Sequence, residues 1–530
     1  MKKILKFGEE AISPISSGIQ KMAKVVGSTM GPHGKTVLIQ AGYGFPKATR
    51  DGVTVARELR FADQFEELGA AMLRQASAKT NDVAGDGTTQ TVVLAAELYE
   101  RAWELINKGA KTVTIKSSLD RVRDNILGKL ATYKKEVTTL GKLIDIATIS
   151  ANDKKLGEDV ATAVWKAGKD GSVTIEESQK AETTIDQTSG FRFDRPWVSP
   201  YFITDVTRGT AELEDAFVLV LGDKLESLYD IANILKAWNK NATGSLLIVA
   251  NEFTDEVLAL LVQSKLNGTK VCAVKTPDFG EHRDRALLDI AAVTGAKLIG
   301  AQFGVPARSI SEAKGMEILG KVKKVICSKD STVFVEPSGK QANVDERIAD
   351  AKFLLDNEES EYQKGKHRQR LGRLTGGVVV IKVGGNTDTE ARERKFRVED
   401  AVAAAQSAFK DGYLIGGGKA LINAVNELRE ANEVDSVLTF GFHAPTAKII
   451  ENSGENVKEV LAKLMNECPD DVGYNALTGE YVKLDDCGIV DPFKATEQAV
   501  INAVSVVSIL LTTSAGIIIE PEKEDIPGQM

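Results

Sequence analysis

The sequence predicts a multidomain protein of mixed α and α/β class, in which a mainly helical domain is interrupted by an α/β insertion. Three observations carry this reading. At 530 residues the chain exceeds the roughly 250–300 residues at which one hydrophobic core stops growing, so about three domains are expected. Both ends carry Ala-, Leu-, Glu- and Lys-rich stretches of helical period. From about Gly190, short β-branched runs alternate instead with helical stretches.

The first element follows from Ile12, Ile15, Ile19, Met22 and Val26, whose three/four spacing makes one apolar helical stripe that Gly27 and Gly31-Pro32 end. Val37-Leu38-Ile39 reads as a strand, and helices follow around Glu66–Lys79, Thr88–Lys108 and Ser117–Tyr133. The insertion predicts strands at Phe217–Leu221, Ser245–Ala250, Lys270–Val274 and Lys297–Ile299. Helical stretches such as Leu225–Trp238 and Asp284–Thr294 separate them, so the sheet is expected to be largely parallel. A charged helical stretch, Asp345–Arg373, leads through Gly376-Gly377 to a strand at Val378–Val383, and Ala-rich helices return from Asp400. Glycines at the transitions, Gly190, Gly376, Gly377 and Gly412, suit hinges or ordinary turns.

Hydrophobic residues make up 43% and charged residues 27%, the composition of a soluble globular chain. Lys and Arg number 67 against 75 Asp and Glu, a net charge of −8, which disfavours nucleic acid and anionic lipid as partners. Ala499–Ile519 is uncharged, but Asn502, Ser505, Ser508, Thr512, Thr513 and Ser514 interrupt it. It reads as a buried helix followed by a core strand, not a membrane span. Four cysteines without CxxC pairs point to a reducing compartment, and four histidines without HExxH or a His/Cys cluster leave no zinc pattern. The start, Met1 to Lys6, lacks the apolar core of a signal peptide, and a cytoplasmic location is expected.

Two phosphate-loop fingerprints nearly occur, and both fail. Gly34-Lys35-Thr36 has the tail of a P-loop, but Thr29 stands where its first glycine belongs and a β-branched strand follows. Gly85-Asp86-Gly87 opens like a dinucleotide fingerprint, but Gln90 replaces the third glycine and a helix precedes it. Gly85-Asp86-Gly87-Thr88-Thr89 nevertheless suits a phosphate with its metal. Its glycines admit close backbone approach, a helix N-terminus and two hydroxyls face an anion, and Asp86 is a hard oxygen ligand for Mg²⁺. An ordinary helix cap at Asp86 or Thr88 is the simpler account of this stretch taken alone. Further Gly-rich turns at 29–34, 50–54 and 416–418 argue for one composite nucleotide site drawn from both chain ends.

Seven stretches in order, Thr29–Gly34, Arg50–Glu58, Ala84–Thr89, Val198–Phe202, Arg397–Ala401, Gly416–Gly418 and Gly473–Ala476, resemble the signature of a group I, GroEL-type chaperonin. The resemblance covers nearly the whole chain. It implies an ATP-dependent chaperone that encloses unfolded polypeptides in homo-oligomeric seven-membered rings, one or two of them, under a GroES-type lid. A divergent paralogue acting as a holdase is the alternative. The implied domains are equatorial (1–133 and 410–530), intermediate (134–189 and 377–409) and apical (190–376).

By the same resemblance Thr29, Met30, Gly31, Pro32 and Arg50 form the phosphate and K⁺ shell, and Asp86 holds Mg²⁺. Gly87, Thr88, Thr89 and Gln90 hold phosphates, Gly417 and Asp491 the ribose, and Asn475, Ala476 and Leu477 the adenine. Asp400 positions the attacking water and Asp51 assists. Trp197, Tyr201, Phe202, Leu235, Leu258 and Val262 form an exposed apolar surface for substrate. Departures from the family pattern are His33, Arg50 and Gln90 in the nucleotide site, Ala232 and Gln263 on the apolar surface, and uncharged Ala447 and Asn456 where rings meet. The tail, residues 520–530, has no Gly-Gly-Met repeat.

Overall fold

The computed structural model describes residues 3–40, 46–169, 171–178, 182–206, 208–241, 244–376, 378–385, 387–428 and 432–519; Gly377 and the 520–530 tail lie outside them. The chain divides into two compact units, Met1–Thr162 with Glu393–Met530, and Ala163–Arg392.

The first unit is helical. Helix Glu9–Gly27 buries Ile15, Ile19, Met22 and Val26, the stripe its spacing dictates. Helices Gln64–Ala84, Thr88–Asn107, Thr112–Tyr133 and Phe493–Leu511 share its core, with Leu73, Leu94, Leu98, Ile115, Ile126, Val504 and Val507 fully or almost fully buried. By length and composition Phe493–Leu511 could cross a membrane, but most of it is buried in this core. The strand after it, Ala515–Ile519, corrects the expectation of a core strand. Among the described residues it pairs antiparallel with Lys3–Phe7 alone and leaves Ile517 and Ile519 exposed, since a two-stranded ribbon lacks a second layer to cover both faces.

The second unit holds a six-stranded sheet in the order Val271–Lys275, Leu246–Ala250, Ala211–Val220, Gly320–Cys327, Thr332–Pro337, Gly190–Phe193. Only the first three strands run parallel; the other pairings are antiparallel, so the sheet is mixed rather than largely parallel. Chain connectivity is the reason. The turn at Ser328–Ser331 is too short for a crossover and forces its two strands antiparallel. The expected strand at Lys297–Ile299 is reduced to a bridge between Ile299 and Leu221, hemmed in by Gly295 and Gly300. Leu225–Trp238 splits into a two-residue strand, a 3₁₀ turn and helix Ala232–Asn241. The charged stretch is a helix pair, Gln341–Asn357 and Glu361–Thr375. Buried Asp289 ties both helices to helix Gly280–Thr294 by accepting from Arg370 Nε at 2.6 Å and Arg347 Nε at 2.8 Å. A second sheet sets Val378–Val383 between Ser172–Glu177, parallel to it, and Thr184–Thr188, antiparallel.

Phe334 anchors the larger sheet: it is fully buried, with the Phe193 ring edge-on at 5.5 Å. Phe334→Ala is expected to destabilise this unit by about 3–5 kcal/mol, measured by urea unfolding. A loss under about 1 kcal/mol would show that the ring contributes no packing.

Candidate functional site

All the predicted nucleotide residues fall in the helical unit, and glycines decide how closely they meet. Helix Gln64–Ala84 ends at Gly85 and helix Thr88–Asn107 begins after Gly87, both glycines left-handed with φ 68° and 83°. These positive angles, which an L side chain resists, fold Asp86 so that its Oδ1 accepts the Gly87 N–H at 2.5 Å. A Cβ on Gly85 would lie 2.2 Å from the Cβ of Ala403, one turn beyond Asp400 in helix Asp388–Asp411. A Cβ on Gly52 would lie 2.0 Å from Thr89 Oγ1 and 3.6 Å from Thr29 Oγ1. Thus the Asp51-Gly52 turn, the end of the first helix and the Asp86 loop converge, and Asp400 is brought to the same loop.

The carboxyls there are half-buried and repel one another. Asp51 is held as a cap, accepting from Val53 N at 3.0 Å and from Thr54 N and Oγ1 at 2.8 and 2.5 Å. Burial pushes the Asp86 carboxyl above its usual range and Asp51 adds to this, while the Gly87 N–H opposes it. Asp400 lies well above the usual carboxylate range, through burial first and then the charges of Asp51 and Asp86, with Arg57 opposing. Asp491 is pushed up to about 7 by burial, with Asp86 adding and the Gly418 N–H opposing. Asp86 thus acts on both Asp400 and Asp491, and Asp51 acts on Asp86 and Asp400. Among the described residues no three His, Cys, Asp or Glu form a ready-made metal cage.

The far side is built from the C-terminal segment. Strand Tyr413–Ile415 pairs with Val490–Pro492, setting Asp491 opposite Leu414 and beside the Gly416–Gly418 turn, where Thr446 Oγ1 donates to Gly417 O at 2.9 Å. His33 Nε2 donates to Ala476 O at 2.9 Å, joining the 29–34 loop to the turn that holds Asn475, buried Ala476 and exposed Leu477. Asn475 Oδ1 accepts from Leu477 N at 3.0 Å. The Thr29 hydroxyl donates to Val26 O, and the Met30 carbonyl accepts from Asn452 Nδ2 at 2.8 Å. Gly31, left-handed at φ 79°, and Pro32 are exposed. Exposed Arg50 donates from Nε to Thr36 Oγ1 at 3.1 Å, and Thr88, Thr89 and Gln90 form the first turn of their helix. Sequence reading missed Asn452 and Thr446, which lie in helical stretches that carry no phosphate-loop motif.

The expected substrate residues lie in the other unit. Tyr201, on a 3₁₀ turn capped by Ser199, is 65% exposed. Trp197 is half-buried with its Nε1 donating to Gly209 O, and Leu235, Leu258 and Val262 are half-buried against the core. Phe202 is 1% exposed, so its ring belongs to the core and drops out of the expected patch. Tyr229, at 86%, and Leu260 are exposed and were not anticipated, because exposed and buried apolar side chains look alike in sequence.

A helical unit built from both chain ends around a glycine-shaped acidic pocket, and an α/β unit inserted into it, are the architecture of a chaperonin. Residues 22–233 and 231–521 match the model of the TCP-1/cpn60 chaperonin family, and the chain belongs to that family. The fold is also that of the chaperonin gp146 from the bacteriophage EL 2 (Pseudomonas aeruginosa), solved in the presence of ATP-BeFx. In one crystal form the TM-score is 0.72 at 22% identity, covering 98% of this chain and 100% of that one. In a second form it is 0.64 at 23% identity, covering 98% and 99%. The GroEL-type resemblance and the mixed α and α/β class are therefore borne out, and the protein is a chaperone.

The raised Asp491 carboxyl makes a signed prediction. Its proton is held more tightly in the folded than in the unfolded state, so its contribution to stability is present below about pH 4 and is lost as pH rises towards 7. In metal-free buffer Asp491→Asn is expected to gain stability over the parent between about pH 5 and pH 8, on the order of 1–3 kcal/mol by chemical unfolding. A difference that does not change with pH would contradict the burial.

Proposed function

We propose that this chaperonin is an ATPase that binds unfolded polypeptides in a ring cavity and promotes their folding. The observation carrying this reading is the convergence of Asp51, Asp86 and Asp400 on the Gly85–Thr89 loop at the N-terminus of a 20-residue helix. The charge of Asp51 raises the proton affinity of Asp86, and both raise that of Asp400, so this acidic group has charge to share with a cation, which fits Mg²⁺ at Asp86. When bound, Mg²⁺ supplies the positive charge that joins these carboxylates to the phosphates.

The protein's own groups then divide the work. Backbone N–H groups and hydroxyls of Gly87, Thr88, Thr89 and Gln90 bind phosphate oxygens, with Thr29, Met30, Gly31, Pro32 and Arg50 completing that shell and a K⁺ site. Gly417 and Asp491 hold the ribose, and Asn475, Ala476 and Leu477 the adenine. Asp400 positions the attacking water, and burial has raised its affinity for that water's proton, with Asp51 assisting.

The three-part division into equatorial (1–133, 410–530), intermediate (134–189, 377–409) and apical (190–376) domains belongs to the same proposal. Both boundaries between the compact units, after Thr162 and after Arg392, fall inside the intermediate segments. Seven-membered rings, a GroES-type lid and a cytoplasmic location complete it. The second reading, a holdase with little productive cycling, draws on His33 and Gln90 in the nucleotide shell, while half-buried Ala232 and exposed Gln263 remove apolar area for substrate and lid alike. ATPase assays with and without unfolded protein separate the two, since only the folding machine couples turnover to its client.

Two outcomes are expected. Asp400→Asn should keep nucleotide affinity while slowing turnover on the order of 10²–10⁴-fold, and equal loss of both would remove Asp400 from the water-positioning role. Tyr201→Glu, at an exposed position, should abolish capture of a reduced, unfolded client in a pull-down without moving the melting temperature. Unchanged capture would place client binding elsewhere.

A further inference from the structure

Behind the Asp86 loop lies a file of buried polar groups that belongs to none of the signature stretches. Asn502, on helix Phe493–Leu511, donates from Nδ2 to Thr80 Oγ1 at 3.0 Å. Thr80, on helix Gln64–Ala84, lies 2.8 Å from Thr91 Oγ1, and Thr91, on helix Thr88–Asn107, donates from Oγ1 to Gly87 O at 3.0 Å. Asn502 is 2% exposed, and Thr80 and Thr91 are fully buried. An amide NH₂ only donates and a carbonyl only accepts, so with the Thr80 hydroxyl on its shorter partner, Thr91, the protons run one way: Asn502 to Thr80, Thr80 to Thr91, Thr91 to Gly87. Thr80 has a second, longer acceptor in Ala76 O at 3.2 Å, which leaves its hydroxyl satisfied throughout.

We infer that Asn502, Thr80 and Thr91 are positioning residues that aim the phosphate-binding backbone of the Asp86 loop. The Gly87 carbonyl already accepts the Thr91 N–H at 3.0 Å, so the Thr91 hydroxyl is a second donor to the same oxygen. That carbonyl and the Thr88 N–H belong to one planar peptide and point in opposite directions. Fixing the oxygen from behind therefore fixes the N–H in front, one of the donors that a helix N-terminus leaves for an anion. Ser77, one turn before Thr80, donates to the next carbonyl, Thr88 O, at 3.4 Å. Two consecutive peptides are thus held, the first by Thr91 of their own helix with Thr80 behind it, the second directly from the neighbouring helix by Ser77. Valine or leucine at these buried positions would fill the space without a polar group to satisfy, so the polar choice calls for a role beyond packing.

The inference rests on the nucleotide reading above, and the test keeps the two apart. Thr91→Val and Thr80→Val keep side-chain shape but remove the hydroxyl, Asn502→Leu removes the head of the file, and Thr91→Ser retains the hydroxyl. On full-length protein, Mg-ATP affinity, kcat, KM and melting temperature are measured for each. Thr91→Val is expected to weaken Mg-ATP affinity on the order of tenfold, with Thr91→Ser within about twofold of the parent. Thr80→Val should add little on top of Thr91→Val, because both cut one file. Should Thr91→Val fail to fold, Thr80→Val and Asn502→Leu carry the same expectation of weakened affinity. A lower melting temperature with unchanged affinity in the folded fraction, or an equal loss in Thr91→Ser, would overturn the inference alone. A parent protein that binds no Mg-ATP would overturn the nucleotide reading and the inference with it.

Discussion

Repulsion among Asp51, Asp86, Asp400 and Asp491 is the constraint to which the helical unit answers. Asp86, Asp400 and Asp491 are half-buried and oppose folding when ionised, and the charge of Asp51 adds to the repulsion on Asp86 and Asp400. Gly52 and Gly85 sit where no Cβ fits, the Gly87 and Gly418 N–H groups point at carboxylates, and the Asp51 oxygens are spent on its own turn. The apolar core beneath, shared by the Glu9, Gln64, Thr88, Thr112 and Phe493 helices, supplies the burial that offsets the repulsion. A cation placed among these carboxyls would relieve the repulsion, which is why the proposed ligand is a metal–nucleotide pair.

The α/β unit answers a different demand. Its core is closed by a mixed sheet, and the Asp289–Arg347–Arg370 ion network ties its helices together. Tyr201 and Tyr229 can stay exposed because the fold does not need them inside. Phe202, one residue from Tyr201, faces the core, so a single 3₁₀ turn separates a structural ring from a free one.

Much of this was legible in the sequence where one residue's neighbours along the chain decide its fate. The three/four stripe from Ile15 to Val26, the helix pair flanking Gly85-Asp86-Gly87 and the strand at Val378–Val383 all follow local pattern. Strand direction did not, because an apolar run reads the same whether its neighbour is parallel or antiparallel. Partners were likewise hidden. Asn502 stood out as a polar interruption in an apolar run, yet nothing along the chain names Thr80 as its acceptor, and the His33–Ala476 bond joins residues 443 positions apart. The acidic residues could be named individually, but their mutual effect on proton affinity belongs to the folded arrangement alone.

The central claim, that the crowded carboxylates make nucleotide binding depend on a divalent cation, is tested most directly by calorimetric titration of ATP into the full-length protein, once with Mg²⁺ and once with excess chelator. Saturable binding with Mg²⁺ and a loss of affinity on the order of a hundredfold or more without it are expected. Equal affinity in the two titrations would contradict it, because a bare ATP anion could not then be meeting four carboxyls.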